Sequence, residues 1–171
     1  MDAAKWLKAQ SWVDPDRVGV WGWSNGGYIT LTLMTRSDVF KAGIAVAPVT
    51  DWRFYDSRWA EAFLGMPHQN PQAYDDASPI PRAGALHGRL LIVYGSYDDN
   101  VHPQNELAFI DALVKAPAHL FQKVRGQRRR QPARAWSRRD RPDQRHILDH
   151  VAIVPENGPS RRPSAYSTVD G

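Results

Sequence analysis

Cysteine is absent from all 171 residues, which excludes disulfides, thiolate metal sites and cysteine nucleophiles. Long apolar runs are missing too. The opening "MDAAKWLKAQ" is broken by Asp2, Lys5 and Lys8 and holds no apolar core of signal-peptide length, so nothing in the chain directs it to a membrane or an export route, and its compartment is left open. Of the six histidines, His68, His87 and His102 stand singly, with no i, i+4 pair or carboxylate spacing, and no metal site is expected. Neither the G-x-G-x-x-G spacing nor a Walker lysine occurs, and no cofactor is expected.

Positive charge is scarce at one end and crowded at the other. Met1 to His119 hold 10 Lys and Arg against 13 Asp and Glu, a net of −3, whereas Leu120 to Gly171 hold 12 against 5, a net of +7. The back segment, "LFQKVRGQRRRQPARAWSRRDRPDQRH" onward, has nine Ile, Leu, Val or Phe in 52 residues, or 17%, below the roughly 20% at which a charged segment stays disordered. Two parts follow: residues 1–118, a partial α/β domain, and residues 119–171, an Arg- and Pro-rich tail that is disordered or translated out of frame. A basic arm for nucleic acid is the rival reading of the tail. It lacks any folded nucleic-acid module, so a nucleic-acid partner is not expected.

The front part alternates. Met1 to Gln10 has helical spacing of Ala3, Ala4, Trp6 and Leu7, and "DPDR" at 14–17 ends it with a turn. "VGVWG" is a short buried strand, and "GGYITLTLMTR" after Ser24 is a helix that stops at Ser37-Asp38. "KAGIAVAPV" (41–49) and "GRLLIVYGS" (88–96) are continuous apolar runs, the signature of parallel strands covered on both faces. "PQNELAFIDALVKA" (103–116) is a helix opened by Pro103. Helix and strand in alternation predict a doubly wound, mostly parallel sheet.

Between the first strand and the second helix lies Gly22-Trp23-Ser24-Asn25-Gly26. A serine on such a strand-to-helix turn is held in a strained conformation that lifts its hydroxyl above the strand ends, and glycines on either side let strand and helix nearly touch. The Asn25 backbone N–H, at the helix start, would face a developing oxyanion. A nucleophilic serine needs a histidine base and an acid to orient it, in the chain order serine, acid, histidine for this kind of sheet. "LLIVYGSYDDNVH" places Asp98 first past a later strand, where that acid belongs.

"VDPDRVGVWGWSNGGYITL", "FKAGIAVAPVTDWRFYDSRWAEAFLGMP", "NPQAYDDASPI" and "GRLLIVYGSYDDNVHPQNELAFIDAL" together resemble the catalytic domain of the prolyl oligopeptidase family, in its dipeptidyl peptidase IV-like branch. The resemblance implies an α/β-hydrolase fold and a serine peptidase that removes dipeptides after proline or alanine. In that reading Ser24 is the nucleophile, Asn25 supplies half of the oxyanion hole, Gly22 and Gly26 build the elbow, and Asp98 is the triad acid. Tyr55 and Trp59, joined by Asn100 and Val101, would form the substrate pocket, with Trp59 standing where relatives usually carry tyrosine. Read from spacing alone, Trp52, Tyr55, Trp59 and Phe63 are an aromatic stripe on one helix, packed in a core. A peptide is the implied partner, and homo-oligomers are common in the family.

The resemblance stops near Ala116–Leu120. Relatives place the catalytic histidine on a loop after one more strand, within a His-Gly or His-Ser pair. Here that region reads "VRGQRRRQPARAWSRRDRPDQ", His119 comes too early, and His146 and His150 come too late. The strands before Met1, an upstream oxyanion tyrosine and the family's β-propeller are also expected to be missing, so the chain is expected to be a fragment incomplete at both ends, with little or no activity of its own.

Overall fold

The computed structural model describes residues 1–116 and the strand at 150–154. Along the chain come α1 (Asp2–Lys8), β1 (Gly19–Trp23), α2 (Asn25–Arg36), β2 (Ala42–Val46), a 3₁₀ turn (Trp52–Phe54), α3 (Ser57–Leu64), α4 (Pro71–Ala77), a second 3₁₀ segment (Ile80–Ala85), β3 (Arg89–Tyr94), α5 (Gln104–Lys115) and β4 (His150–Val154). The sheet runs β1-β2-β3-β4. Its first three strands are parallel, with Trp21, Ile44 and Leu91 side by side across the sheet. The alternation of helix and strand in the sequence therefore gives the parallel α/β sheet it predicts.

β4 pairs antiparallel with β3, so that His150 stands opposite Tyr94. This strand lies in the stretch expected to be disordered, and the difference has a local cause. "HVAIV" holds four apolar residues in a row, Val151 to Val154, diluted by the charges around them when composition is averaged over 52 residues. The rest of the tail, 117–149 and 155–171, lies outside the described residues, and with it the expectations made for it, His119 and His146 included.

Strand periodicity decides which side chains meet the helices. Ala45, Leu90 and Ile92 form one core with Leu31 and Met34 of α2 and Phe109 and Leu113 of α5. The fit is close: a Cβ on Gly43 would sit 2.0 Å from the sulfur of Met34. Alternate positions face the other way, and there Trp21 is 72% exposed, Trp23 56% and Ile44 42%. Continuous apolar strands led us to expect cover on both faces; among the described residues the helices cover one. α1 adds a small satellite core in which Ala4 meets Val18 and Phe40.

Residues 50–87 hold two short helices and two 3₁₀ segments. Asp51 starts the first by accepting from the Arg53 N–H at 2.9 Å, and Asp56 caps α3 by accepting from the Arg58 N–H at 2.7 Å. Tyr55 is extended between them, so the four aromatics are not a stripe on one helix: Trp52 belongs to the 3₁₀ turn, Trp59 and Phe63 to α3. A buried polar knot fastens this segment to α5. The Thr50 N–H donates to Asn105 Oδ1 at 2.9 Å, the Thr50 hydroxyl to the Asn105 carbonyl at 2.6 Å, and the Ser78 hydroxyl to the Thr50 carbonyl at 2.8 Å.

Candidate active site

Ser24 sits at the step from β1 to α2 with φ 55° and ψ −119°, a backbone conformation that costs a non-glycine residue on the order of 1–3 kcal/mol and persists only where its surroundings enforce it. The enforcement is visible. The Ser24 N–H donates to the Val46 carbonyl at the end of β2 (2.8 Å), and the Ser24 carbonyl accepts from the Tyr28 N–H (3.0 Å), so the residue is pinned by strand and helix at once. Its side chain makes no capping bond to the helix, and the residue is half-buried. Asn25 is the first residue of α2, and its N–H is among the donors that a helix start leaves without an intrahelical acceptor.

The glycines divide the work differently from expectation. A Cβ on Gly22 would lie 2.3 Å from the carbonyl carbon and oxygen of Gly26, so strand and helix touch there and Gly22 must be bare. A Cβ on Gly26 itself would meet nothing within 4 Å; its backbone, not its missing side chain, is what closes the elbow. Gly27 is the second bare position, since its Cβ would come within 2.9 Å of Pro48 and 3.0 Å of the Val46 carbonyl oxygen.

Asp98 follows β3, and its Oδ1 accepts from the N–H groups of Asn100 and Val101, both at 3.0 Å. One carboxylate oxygen thus shapes the loop. β1 and β3, which precede Ser24 and Asp98, are separated by β2, about 10 Å at the usual strand spacing. His150 opens β4, three strands from β1. His102 is exposed, and its carbonyl accepts from Asn105.

The four pocket residues come together. The Tyr55 hydroxyl donates to Asn100 Oδ1 at 3.1 Å, the Tyr55 and Trp59 rings meet edge to face at 6.2 Å, and Val101 is buried beneath them in a core with Trp52, Ala60 and Tyr74. Trp52 is the hub that spacing alone did not single out. Tyr28, one turn beyond Ser24, meets it edge-on at 5.0 Å, and Trp59 stacks on it at 4.4 Å with the planes 22° apart. The aromatic wall is thereby tied to the nucleophile helix. Arg53 braces its far side: it pairs with Asp51 and Asp75 and lies over the Tyr74 ring, and the Asp75 bond holds its guanidinium above its ordinary pKa.

Glu106, third in α5, is fully buried, and neither of its carboxylate oxygens has a hydrogen-bond partner. Burial, with the charge of Asp98 adding to it, pushes its pKa up to about 8. An unpaired carboxylate in such a place takes up a proton, so Glu106 is neutral at pH 7. Nothing in the helical spacing distinguishes a buried glutamate from an exposed one. Among the described residues no group of three potential metal ligands occurs, and no helix is long and apolar enough to cross a membrane.

The prolyl oligopeptidase family profile matches residues 1–128. The chain belongs to the prolyl oligopeptidase family. It is similar to "Probable dipeptidyl-aminopeptidase B" of Paracoccidioides brasiliensis, 47% identical over 125 residues that make up 71% of this chain and 14% of the relative, and to the Metarhizium robertsii protein of the same name, 49% identical over 115 residues, 65% of this chain and 12% of the relative. Among solved structures, dipeptidyl peptidase 4 of Porphyromonas gingivalis superposes with a TM-score of 0.65 at 51% identity, covering 67% of this chain and 17% of that one. The chain thus spans about one seventh of the length of its curated relatives. Within that span its fold is a partial α/β-hydrolase fold like that of the dipeptidyl peptidase structure.

Proposed function

We propose that this prolyl oligopeptidase family chain carries the nucleophile, the triad acid and the pocket of a peptidase that releases N-terminal dipeptides after proline or alanine. The Ser24 oxygen attacks the peptide carbonyl carbon while a histidine takes its proton. The oxyanion that forms is held by the Asn25 N–H, the amine leaves with the proton returned by the histidine, and water then hydrolyses the acyl-enzyme. Asp98 orients that histidine. Tyr55, Trp59 and Val101 enclose the compact side chain next to the cleaved bond, and the Asn100 amide holds the substrate carbonyl. The observation that carries this reading is the strained backbone of Ser24, enforced by Val46 and by contact between Gly22 and Gly26.

Turnover by this chain alone is low, because none of its histidines stands in the sequence context that the family uses for the base. Loss of a triad base costs on the order of a million-fold in kcat. The test is covalent labelling with a fluorophosphonate, read by mass spectrometry, alongside hydrolysis of a Gly-Pro anilide and a p-nitrophenyl ester. Labelling at Ser24 that disappears in Ser24→Ala, with anilide hydrolysis restored when a histidine-bearing family segment is supplied, supports the proposal. Ester hydrolysis without any anilide hydrolysis after that restoration points to an esterase instead. Assembly into homo-oligomers, common in the family, is part of the same proposal, and light scattering measures it.

A further inference from the structure

The first turn of α5 holds a carboxyl group with nothing to bond. Glu106 is the third residue of that helix, behind the capping residue Pro103, a place from which a glutamate ordinarily reaches back to the N–H of the cap. Proline has no N–H to offer. The Glu106 side chain is fully buried and neither of its oxygens has a hydrogen-bond partner; its own N–H, too poorly placed for a hydrogen bond, offsets the burial only in part. Among the described residues no cation makes up the difference. Arg53 is engaged with Asp51 and Asp75, Arg82 with the Asp76 and Ala77 carbonyls and Lys115 with Asp111, while Asp99 and His102 are exposed. Asp98 is the charge that reaches Glu106, and its sign is the same.

The loop that Asp98 shapes runs directly into this turn. Asp98 accepts from Asn100 and Val101, the His102 carbonyl accepts from the N–H and the side-chain amide of Asn105, and Asn105 is locked to Thr50. Residues 98–106 are thus one hydrogen-bonded unit with the Glu106 carboxyl buried at its end. A charge on that carboxyl would have no partner inside the protein, and its shortest way to water is to lift the helical turn and the loop together, since both lie beyond the last paired residue of β3. We propose that Glu106, in its protonated form, is the positioning residue of the acid loop: its proton keeps the α5 turn seated, so that Asp98, Asn100 and Val101 hold their places, and loss of that proton opens residues 98–106 locally while the sheet stays folded. The consequence for catalysis rests on the peptidase reading; the coupling of proton to loop does not.

Hydrogen–deuterium exchange of the full chain, read by mass spectrometry from about pH 5.5 to about pH 7.5 and corrected for the intrinsic rate, tests it. Local opening hydrates Glu106 and releases its proton, so the opening constant rises by up to about tenfold per pH unit between the ordinary 4.5 and about 8. Protection of 98–106 is therefore expected to fall by up to about a hundredfold between the two ends of the measured range. Mild urea is expected to leave it unchanged, because a local opening exposes little surface. Glu106→Gln abolishes the pH dependence, Glu106→Asp keeps it, and His102→Gln, at an exposed position, leaves it as in the wild type. A flat wild-type profile, a slope that survives Glu106→Gln, or a slope lost in His102→Gln overturns the proposal. So does protection that matches β2 and falls with urea, for then Glu106 acts on the whole fold and the acid loop is not singled out. Where Glu106→Gln fails to fold, the wild-type profile, its response to urea and His102→Gln still decide. No peptide enters the measurement, so the proposal can fail while the peptidase reading stands, and the reverse.

Discussion

The hydroxyl of Tyr55 donates to the side-chain oxygen of Asn100 across 45 residues of sequence, at 3.1 Å. That one bond joins the segment before α3 to the loop shaped by Asp98, and it orients the Asn100 amide, which we propose holds a substrate carbonyl. Tyr55→Phe removes the bond and keeps the ring. Because the pair is partly solvated, stability is expected to fall by only about 0.5–1.5 kcal/mol. Binding of Gly-Pro-Gly is expected to weaken by about tenfold as the amide loses its orientation, whereas substitution of the exposed Tyr97 leaves it unchanged. Urea melts and calorimetric titrations of the two variants separate these effects.

The three glycines of the elbow make a sharper prediction, because they look equivalent in "GWSNGG" and are not. Gly22→Ala drives a Cβ to 2.3 Å from the Gly26 backbone, and Gly27→Ala drives one to 2.9 Å from Pro48. Neither obstacle is a flexible side-chain end, so strand and helix must separate. Gly22→Ala is expected to cost about 3 kcal/mol or more and to abolish fluorophosphonate labelling of Ser24, with Gly27→Ala costing less. Gly26→Ala meets nothing within 4 Å at a position inside α2, and alanine is the better helix former by about 0.5–1 kcal/mol. It is expected to be neutral or stabilising. Thermal melts of the three variants rank them.

That contrast shows where sequence reasoning reached and where it stopped. Parallel strands, the tight strand-to-helix turn at Ser24 and the turn at Asp98 were legible because each depends on local pattern: apolar runs, glycine spacing, turn residues after a strand. The roles of Gly26 and Gly27 were not, because a glycine required by its own missing Cβ and one required by its backbone read alike. Asn105 and Glu106 were also hidden. Asn105 matters through Thr50, 55 positions away, and chain order does not show that Glu106 lies on the buried face of its helix. The same holds for Trp21, which lies in a run read as a buried strand and is exposed among the described residues.

Glu106 predicts a pH dependence of stability with a definite sign. Its folded pKa, about 8, lies above the ordinary 4.5, so the folded state holds a proton that the unfolded chain has lost. The stability it contributes is fully present below about pH 4.5, declines as pH rises, and is gone above about pH 8. A shift of that size corresponds to about 5 kcal/mol at most, reduced by any water that reaches the site. Glu106→Gln, neutral at every pH, is expected to match the wild type at pH 4.5 and to be clearly more stable at pH 8.5. Urea melts at both pH values check it, and a wild-type minus variant difference that does not grow between them contradicts it.

The bare face of the sheet sets the behaviour of the chain in solution. Among the described residues, Trp21, Trp23 and Ile44 stand exposed on one side of β1 and β2, and β1 is the last strand on its side of the sheet. Its sequence, "GVWGW", carries no charge and no proline, so its outer edge has none of the features that keep strands from pairing with other molecules. The edge offers unpaired backbone groups while the face offers apolar area, and both favour association. The chain is expected to self-associate at micromolar concentration, detected by light scattering. Trp21→Thr with Trp23→Thr keeps strand propensity and removes the large rings; it is expected to lower the associated fraction several-fold while leaving the helical far-UV signal unchanged, since neither ring faces the core of α2 and α5. A double variant that associates as strongly as the parent would place the contact elsewhere, and Val20→Lys, aimed at the opposite face, would then unfold the chain rather than disperse it.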